Sequence, residues 1–409
     1  DENCDGIDDL CTETTTILGT MEGALAGSAL ASLSNGTLFI GAPAFSDPEI
    51  SMGAIESYGS ADSSASQAVW LGLQGEGIGS TLVSTEDITG DGIEDVWAGV
   101  FRHDGNGTDA GRVYLLNGAS AGDEDLTLAS IQLDGQRAND WAGWSIASSN
   151  GSLLVGAPLF EPSLQLSDVG AAYLFTSTPQ TTELASALYR FEGEQNGGQL
   201  GYAVELMDWD GDGIDEVFLG APNYDAGFFQ GAVLMHHLPQ QASVYTTPDQ
   251  LWVGDWPNGR FGGVLAGGAD VDQDGYSDLL VAAPSRNNDS GAVFLISQAN
   301  PTPQLFWEGD REAAQLGEEL LIHDFNEDGS PDVVFSAPYD DTNGILSGRV
   351  FFAQGPVVPD FIDAESINTD DFVLWGSALA PAQGGVWIGA PGLTDSGSIL
   401  GGAVLLSWN

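Results

Sequence analysis

The sequence predicts an all-β fold, a seven-bladed β-propeller of four-stranded antiparallel blades, whose ring is closed by an N-terminal strand that completes the last blade. Three observations predict this fold. The chain shows no sustained helical periodicity. A set of glycine-centred motifs recurs seven times along its 409 residues, and each recurrence reads as four short strands. A period of roughly 50–65 residues lies within the range of propeller blades.

Each repeat carries its markers in a constant order. A leading glycine opens the first strand, at Gly27, Gly79, Gly143, Gly201, Gly262, Gly317 and Gly376. The second strand ends in Gly-Ala-Pro or a variant of it, at residues 41–43, 98–100, 156–158, 220–222, 282–284, 336–338 and 389–391. A Gly-x-Val-like triplet starts the third strand, at residues 53–55, 111–113, 170–172, 231–233, 291–293, 348–350 and 402–404. A fourth strand rich in Trp and Leu follows, as at residues 68–71, 250–253 and 304–307.

The two ends of the sequence fit a closed ring. The last repeat stops after its third strand, at residues 402–408, and a surplus strand lies at residues 14–18. We expect the surplus strand to pair with the last repeat, because this leaves no open sheet edge in that blade. Deletion of residues 12–20 should then sharply lower thermal stability. The predicted domains are an acidic segment over residues 1–13 and the propeller over residues 14–409.

The composition is strongly acidic, and this excludes several classes of partner. The chain has 60 Asp and Glu residues against 8 Lys and Arg, for a formal net charge of −52. Because phosphate binding needs clustered basic side chains, we expect neither nucleic acid nor anionic membrane as a partner. No apolar run approaches the roughly 20 residues of a membrane helix, so we expect no direct membrane insertion. The chain opens at Asp1 without an initiator Met, so we expect a trimmed part of a longer polypeptide, and a monomer.

Four acidic loops join the first and second strands of repeats two, four, five and six, at residues 87–95, 208–216, 270–278 and 324–332. Oxygen-bearing side chains stand at their first, third and fifth positions, a glycine at the sixth and a carboxylate at the ninth. This spacing matches the front of a calcium loop, in which alternate residues supply oxygens and glycine allows a sharp bend. One copy in so acidic a chain could be chance, but four in register predict calcium binding.

The combination of leading glycine, acidic loop, Gly-Ala-Pro and Gly-x-Val resembles the FG-GAP repeats of the integrin alpha-subunit β-propeller, over about residues 14–409. Only Phe261-Gly262 preserves the literal Phe-Gly. The resemblance implies calcium in the first-to-second-strand hairpins of a lower face and ligands on the opposite, upper face. It does not carry an integrin function, because no stretch resembles the leg domains, the transmembrane helix or a beta subunit. Bacterial secreted proteins use these repeats too, so we expect a bacterial secreted or surface-exposed, extracellular member.

We expect about four calcium ions, one in each loop, held by side-chain oxygens of positions one, three, five and nine and by the carbonyl of position seven. The side-chain ligands are Asp87, Thr89, Asp91 and Asp95; Asp208, Asp210, Asp212 and Glu216; Asp270, Asp272, Asp274 and Asp278; and Asp324, Asn326, Asp328 and Asp332. The carbonyls belong to Ile93, Ile214, Tyr276 and Ser330. The alternative is a set of solvated acidic turns without metal, and Mg²⁺ suits such loops less well than Ca²⁺.

Two loops depart from the pattern. Thr89 offers a hydroxyl where the other loops offer a carboxylate or an amide, so we expect loop two to bind calcium most weakly. Glu216 is one methylene longer than Asp and follows Asp215, so either of these two carboxylates closes loop four.

A fifth calcium site is predicted at the N-terminus, where the same spacing recurs. Its ligands would be Asp1, Asn3, Asp5, Ile7 and Asp9, and a disulfide between Cys4 and Cys11 would staple it. The segment resembles the acidic, Cys-bearing calcium repeats of thrombospondin-like and bacterial secreted proteins. A disulfide there fits an oxidising compartment. The alternative is a flexible linker.

All eight basic residues are Arg, and the family's face assignment places five of them in upper-face loops beside two tryptophans. This candidate ligand face consists of Arg102, Arg137, Arg260, Arg286, Arg311, Trp141 and Trp256. Scarce positive charge gathered there would receive a carboxylate from a protein or from an acidic carbohydrate. The alternative is that each Arg pairs with a neighbouring loop carboxylate, such as that of Asp104, Asp140, Asp255, Asp289 or Asp310.

These observations favour a calcium-binding extracellular propeller that serves as a protein-interaction or adhesion module. The first alternative is a carbohydrate-binding lectin, which would show repeated aromatic pockets between blades. The second is a polysaccharide lyase or hydrolase, which would concentrate its functional groups near the propeller axis. None of the four histidines, His103, His236, His237 and His323, lies in a recognisable nucleophile or zinc motif, so we do not expect an enzyme.

Overall fold

Seven main β-sheets follow one another along the chain, one for each predicted repeat. The structure is a computed structural model that describes residues 14–407 except 48–49, 60–64, 74, 164, 180–181, 239–242, 356–360, 365–372 and 396. The predicted N-terminal calcium site, Asp1, Asn3, Asp5, Ile7 and Asp9, lies outside the described residues, as do Cys4 and Cys11. Within the described ranges, no helix has the length and hydrophobicity needed to cross a bilayer. The all-β, seven-bladed propeller is confirmed.

The first three blades follow the four-strand pattern in chain order. Blade one contains Ala29–Ser32, Leu38–Ala42, Ala54–Tyr58 and Ala68–Leu71. Blade two contains Thr81–Thr85, Asp95–Val100, Arg112–Leu116 and Gln132–Asp134. Blade three contains Ile146–Ser149, Ser152–Ala157, Ala171–Phe175 and Tyr189–Glu192.

The remaining blades repeat the pattern, and the seventh uses both ends of the chain. Blade four contains Val204–Met207, Glu216–Ala221, Ala232–His236 and Gln250–Val253. Blade five contains Val264–Ala269, Asp278–Ala282, Ala292–Ile296 and Gln304–Glu308. Blade six contains Leu320–His323, Asp332–Ala337, Arg349–Ala353 and Phe361–Ala364. Blade seven contains Leu379–Ala382, Gly385–Gly389, Gly402–Ser407 and the N-terminal strand Thr14–Leu18.

Short elements decorate the blades. Gly122–Glu124 and Ser243–Tyr245 add parallel fifth strands to the outer edges of blades one and three. Two-residue strands form small hairpins at Ser46–Asp47 with Ile50–Ser51 and at Thr394–Asp395 with Ser398–Ile399. Single helical turns occur at Leu126–Leu128, Leu184–Ser186 and Arg286–Asp289.

The ring closes as the strand count predicts. Thr14–Leu18 pairs antiparallel with the last strand, from Thr14 opposite Leu406 to Leu18 opposite Gly402. Seven hydrophobic core clusters lie in the described residues, and each contains side chains of two neighbouring blades. One of these clusters joins blade seven to blade one through Ile17, Leu30 and Trp387. Every blade-to-blade interface therefore has its own apolar core.

The recurrence of glycine at these motif positions has a steric cause in the contact between neighbouring blades. A Cβ on Gly220, in the Gly-Ala-Pro of blade four, would lie 2.1 Å from the carbonyl oxygen of Gly262, the leading glycine of blade five. The same contact relates Gly41 to Gly79 and Gly99 to Gly143, each at 2.0 Å. A side chain at these positions would push the neighbouring blade away.

This contact corrects the alignment of repeat two. Gly99 meets Gly143 as Gly220 meets Gly262. The strands Asp95–Val100 and Glu216–Ala221 both have six residues and both start at the ninth position of an acidic loop, so Gly99 corresponds to Gly220. The Gly-Ala-Pro equivalent of repeat two is therefore residues 99–101, and the alignment on residues 98–100 is wrong by one residue. The third position of the triplet carries Phe101 where most repeats carry proline, which hid the correct register.

Candidate metal centre

The four acidic loops occupy the same place in their blades, at the hairpin between the first and second strands. In each, the ninth position is the first residue of the second strand and is buried in the wall of the hairpin. The exposed fractions at this position are 0% for Asp95, 2% for Glu216, 0% for Asp278 and 0% for Asp332. The first, third and fifth positions lie in the loop above these buried carboxylates.

One hydrogen-bond frame shapes all four loops. The first-position carboxylate accepts from the backbone N–H of the sixth-position glycine, at 2.7 Å for Asp87, 3.0 Å for Asp208, 2.9 Å for Asp270 and 2.8 Å for Asp324. The ninth-position carboxylate accepts from the N–H of the second residue, at 2.9, 2.9, 2.7 and 3.1 Å in blades two, four, five and six. The frame folds each loop over its buried ninth-position carboxylate.

The sixth-position glycine is required by its backbone conformation. Its φ is +92° at Gly92, +86° at Gly213, +95° at Gly275 and +88° at Gly329. This left-handed region is open to glycine at little cost and disfavours residues with a Cβ. The sharp turn that brings the loop back over its first residue therefore depends on that glycine.

Two of the loops bring three carboxylates to one point. Single oxygens of Asp208, Asp210 and Asp212 all lie within 4.8 Å of one another, and so do those of Asp270, Asp272 and Asp278. Such a group of like charges, all oxygen ligands, suits a hard dication. Hydrogen bonds from the loop backbone, above all from Gly92, lower the pKa of the first-position Asp87 and favour its charged form.

The buried carboxylates fit a bound cation. Among the described residues, Oδ1 of Asp278 has no hydrogen-bond partner although it is fully buried. Burial raises the pKa of Asp278 to about 7. It also raises the pKa values of Asp95, Glu216 and Asp332. A charged carboxylate in such a place is unfavourable unless a cation or a proton compensates it, so the residues present fit calcium.

The structure decides which carboxylate closes loop four. Oε2 of Glu216 accepts from Trp209 N, as the ninth-position Asp does in the other loops. Asp215 instead lies near the Asn150 amide, at 3.4 Å. Glu216 is therefore the equivalent of Asp95, Asp278 and Asp332.

Among the other predicted ligands, some side chains lie inside the loop and others point to solvent. Thr89 Oγ1 lies 3.2 Å from Asp95 Oδ1 and 3.4 Å from Asp91 Oδ2, so its hydroxyl is inside the loop. Asn326 accepts from Asp328 N through Oδ1 at 3.0 Å. The side chains of Ile214 and Tyr276 are 52% and 44% exposed, as expected of residues whose predicted contribution is a main-chain carbonyl.

The nine-residue motif misses a further contributor, the segment that follows the third strand in the four blades with acidic loops. In blade two, Asn117 donates to Asp91 Oδ2 at 2.7 Å. In blade five, Ala299 N donates to Asp274 Oδ2 at 2.6 Å. Asn117 comes six residues after the glycine of Gly-x-Val, as does His237 in blade four. That fixed spacing is the signal by which this position could have been found.

The repeat of blade five carries the whole motif, from Phe261-Gly262 through its acidic loop to Gly291-Ala292-Val293. The sequence model of the FG-GAP repeat matches residues 261–296. The chain is 30% identical to integrin alpha-5 of Xenopus laevis over 191 residues, 34% identical to integrin alpha-11 of Homo sapiens over 226 residues, and 34% identical to integrin alpha-IIb of Mus musculus over 163 residues. This chain is an integrin alpha-like β-propeller that contains an FG-GAP repeat.

The matches are partial. They cover 43%, 52% and 37% of this chain and 18%, 17% and 16% of the three relatives. The matched part of this chain thus spans less than a fifth of the length of each of these relatives.

The face opposite the loops of the FG-GAP propeller carries the five predicted arginines. Arg286 pairs with both oxygens of Asp255 at 3.1 Å, contacts Glu308, and stacks on the Trp256 ring at 5.2 Å. Arg311 pairs with Asp341 at 2.7 Å. These two guanidinium groups pair with carboxylates of their own chain, which agrees with the alternative that the arginines pair with neighbouring loop carboxylates.

The other three arginines lie on aromatic rings. Arg102 stacks on Phe101 at 5.3 Å, and Arg137 stacks on Phe160 at 5.3 Å while donating to the Glu161 carbonyl. Arg260 donates to the Tyr202 hydroxyl at 2.9 Å and lies 3.9 Å from Glu318. Cation–π contacts of this kind hold a guanidinium in place without neutralising it.

A cluster of four aromatic side chains at the axis was not foreseen in the sequence. The rings of Phe101, Trp141, Trp144 and Tyr202 stand in a chain with centroid separations of 5.0 to 5.4 Å. Trp144 and Tyr202 each follow a leading glycine, and that position lines an axial cavity of about 330 Å³ in six blades, through Ser28, Ser80, Trp144, Tyr202, Gly263 and Glu318. The aromatic cluster therefore borders the mouth of the cavity.

Proposed function

We propose that this FG-GAP propeller binds calcium in its four acidic loops and serves as an extracellular protein-interaction or adhesion module. The observation that carries the calcium assignment is the hydrogen-bond frame shared by the four loops, each of which buries one carboxylate. In the loops of blades four and five, three carboxylates also converge. About four ions would be bound, and a bound dication compensates the buried charge at each site.

The interaction role is supported by the relatives and by the surface opposite the loops. The relatives are integrin alpha chains. Opposite the loops, Phe228, Phe229 and Trp256 are 67%, 52% and 38% exposed, and the Arg286 guanidinium stacks on the Trp256 ring. Exposed aromatic residues beside guanidinium groups are typical of interaction surfaces. The ligand class is a protein or an acidic carbohydrate, and a bacterial secreted origin stays a prediction.

The enzyme alternative draws less support from the axial groups. Tyr202, Arg260 and Glu318 meet at the cavity mouth, but the Tyr202 hydroxyl accepts from Arg260 and burial raises its pKa. A tyrosine with a raised pKa is a poor general base near neutral pH. A binding role fits this arrangement better.

Calorimetric titration of chelator-treated protein tests the calcium sites. We expect uptake of about four Ca²⁺, little uptake of Mg²⁺, and a large fall in melting temperature on adding chelator. Glu216→Gln should lose about one equivalent, whereas its matched neighbour Asp215→Asn should lose none. Absence of calcium uptake would show that the loops are solvated turns. Equal loss in both variants would contradict the assignment of Glu216, and not Asp215, as the ninth-position ligand of loop four.

The ligand face is tested with immobilised protein against a panel of purified extracellular proteins and an array of acidic glycans. We expect Trp256→Ala and Arg102→Ala to weaken binding to a protein partner, and Leu128→Ala to leave it unchanged. Leu128 is a suitable control because it is 80% exposed and lies outside the upper-face loops. Binding to glycans alone would favour the lectin alternative.

A further inference from the structure

A histidine that the calcium pattern does not use lies beside the acidic loop of blade four. His237 follows directly on the third strand Ala232–His236, and its backbone N–H donates to Asp249 Oδ2 at 2.9 Å. Its Nδ1 lies 3.1 Å from Oε1 of Glu216 and 4.0 Å from Oδ2 of Asp210. The imidazole is 49% exposed, so an ion can reach it from solvent.

Blade four departs from the repeat pattern in two ways beside His237. In blades two and six, the second oxygen of the buried carboxylate accepts from a backbone N–H, that of Gly118 at 3.2 Å and that of Gly355 at 2.9 Å. In blade four the buried residue is Glu216 in place of Asp, and its second oxygen faces the imidazole of His237. The longer side chain of Glu216 thus places a carboxylate oxygen next to the imidazole nitrogen of His237. Blade four therefore differs from blades two and six both in its buried carboxylate and in the group that this carboxylate faces.

A nitrogen donor changes which metal the site prefers. Ca²⁺ takes oxygen ligands, whereas imidazole nitrogen suits Zn²⁺ and other late first-row dications. Ligand atoms bound tetrahedrally at about 2.1 Å lie about 3.4 Å apart. The separations of 3.1 and 4.0 Å from His237 Nδ1 lie on either side of that value. Of the three-residue ligand groups found among the described residues, this is the one with a nitrogen donor.

The geometry points to a borderline transition-metal site in blade four, at which a Zn²⁺-class dication binds Nδ1 of His237, Oε1 of Glu216 and Oδ2 of Asp210. The inference rests on the proposed function, because it assigns a second metal class to one of the four loops. Blades two, five and six, which offer oxygen and amide groups around their carboxylates, keep calcium. Blade four accepts either class, and its occupant depends on which ion is supplied.

The adjacent histidine takes no part in this site. His236 lies on the strand itself, is 3% exposed, and packs on the Phe191 ring with centroids 4.7 Å apart. Burial lowers its pKa to about 4, so it stays neutral. Because successive side chains of a strand point to opposite faces, His236 faces the core and His237 faces the loop.

Cobalt(II) provides the direct test, since its visible absorption reports nitrogen ligation and a tetrahedral field. The full chain is titrated with Co²⁺ in calcium-free and calcium-containing buffer, and Zn²⁺ is then added as a competitor. We expect one Co²⁺ equivalent with a ligand-field band that Zn²⁺ abolishes. His237→Asn should lower the Co²⁺ affinity by more than about tenfold. His323→Asn, a surface histidine at the edge of the blade-six loop, should leave it unchanged.

Calcium uptake measured on the same samples separates this inference from the proposed function. If His237→Asn keeps calcium uptake and loses Co²⁺, the transition-metal site is supported. If wild type shows no such band, or the band is unchanged in His237→Asn, the inference is overturned whatever the calcium result. If Co²⁺ binds as expected but no loop takes up calcium, the proposed function fails and the blade-four site stands.

Discussion

Carboxyl groups in the axial cavity, like the buried ones in the loops, have raised pKa values. Glu318 and Glu319 both line the cavity, and Arg260 is the cation that lies nearest to Glu318. Burial, and then repulsion from Glu318, raise the pKa of Glu319 to about 8. Burial also raises the pKa of Glu318, and Arg260 opposes that shift. The cavity wall therefore holds a carboxyl group that is largely protonated at neutral pH.

The shifted pKa predicts a pH dependence of stability. The folded-state pKa of Glu319, about 8, lies above its ordinary value of 4.5. Its protonated form therefore contributes stability that is complete below about pH 4.5 and is lost as the pH rises through about 8. Glu319→Gln carries no charge at any pH, so its free energy of unfolding should exceed that of wild type by on the order of 1–2 kcal/mol at pH 9.

Denaturant unfolding at pH 5, 7 and 9 in saturating calcium measures the effect, because bound calcium removes the loops from the comparison. The gain should grow from pH 5 to pH 9. Glu312→Gln, an exposed position in the neighbouring loop, is the control and should show no such trend. A pH-independent difference for Glu319→Gln would mean that the carboxylate stays charged and solvated in the folded protein.

At the residue scale, sequence and structure agree where ligands are consecutive. The carboxylates of residues 270–278 lie in one loop, so their spacing alone predicts that they converge. Asn117 and His237 could not be placed in the same way, because they directly follow the third strand and reach the loop only through the pairing of that strand with the second. The choice between Asp215 and Glu216 likewise depended on which side chain turns inward, which follows from the register of Glu216–Ala221 with its neighbours.

Whole strands were predicted more securely than the contacts between them. The closing strand at residues 14–18 and the fourth strand at residues 68–71 have the predicted bounds, and a glycine directly follows each of them, Gly19 and Gly72. The register of repeat two was wrong by one residue, because Phe101 replaces the proline that marks the end of the motif elsewhere. Packing against Gly143 of the next blade, which sequence alone does not show, fixes the register.

The glycine contact between neighbouring blades makes a prediction at the scale of the strand. Gly220→Ala would bring a Cβ to 2.1 Å from the Gly262 carbonyl oxygen, so the strands must move apart. We expect a loss of about 1–3 kcal/mol in the free energy of unfolding. Chemical denaturation in saturating calcium measures the loss.

Blade five supplies the matched control, because Ala282 stands where blade four has Gly220. Ala282→Gly removes a methyl group that the structure accommodates, and should cost about 0.5–1 kcal/mol through backbone entropy. A Gly220→Ala variant as stable as wild type would show that the repeated glycines serve chain flexibility and not blade spacing.

At the scale of the whole molecule, the ring must stay closed although its negative charges repel one another. A net charge of −52 repels itself across the propeller, and about four bound dications would offset about eight of these charges. The remaining cohesion comes from the seven apolar interfaces, each shared by two blades. The interface at blade seven differs from the others, since its sheet joins strands from opposite ends of the chain.

That junction yields a prediction about cooperativity. Ile17 is 3% exposed and belongs to the cluster that joins blades seven and one, whereas Thr16 on the same strand is exposed. Ile17→Ala should lower the free energy of unfolding by about 2–4 kcal/mol, and Thr16→Ala by less than about 0.5 kcal/mol. If the ring unfolds as one unit, Ile17→Ala shifts a single transition to lower denaturant. If blade seven opens by itself, the variant shows an early transition that involves only that blade. Equal stability of Ile17→Ala and Thr16→Ala would contradict a stabilising role for the closing strand.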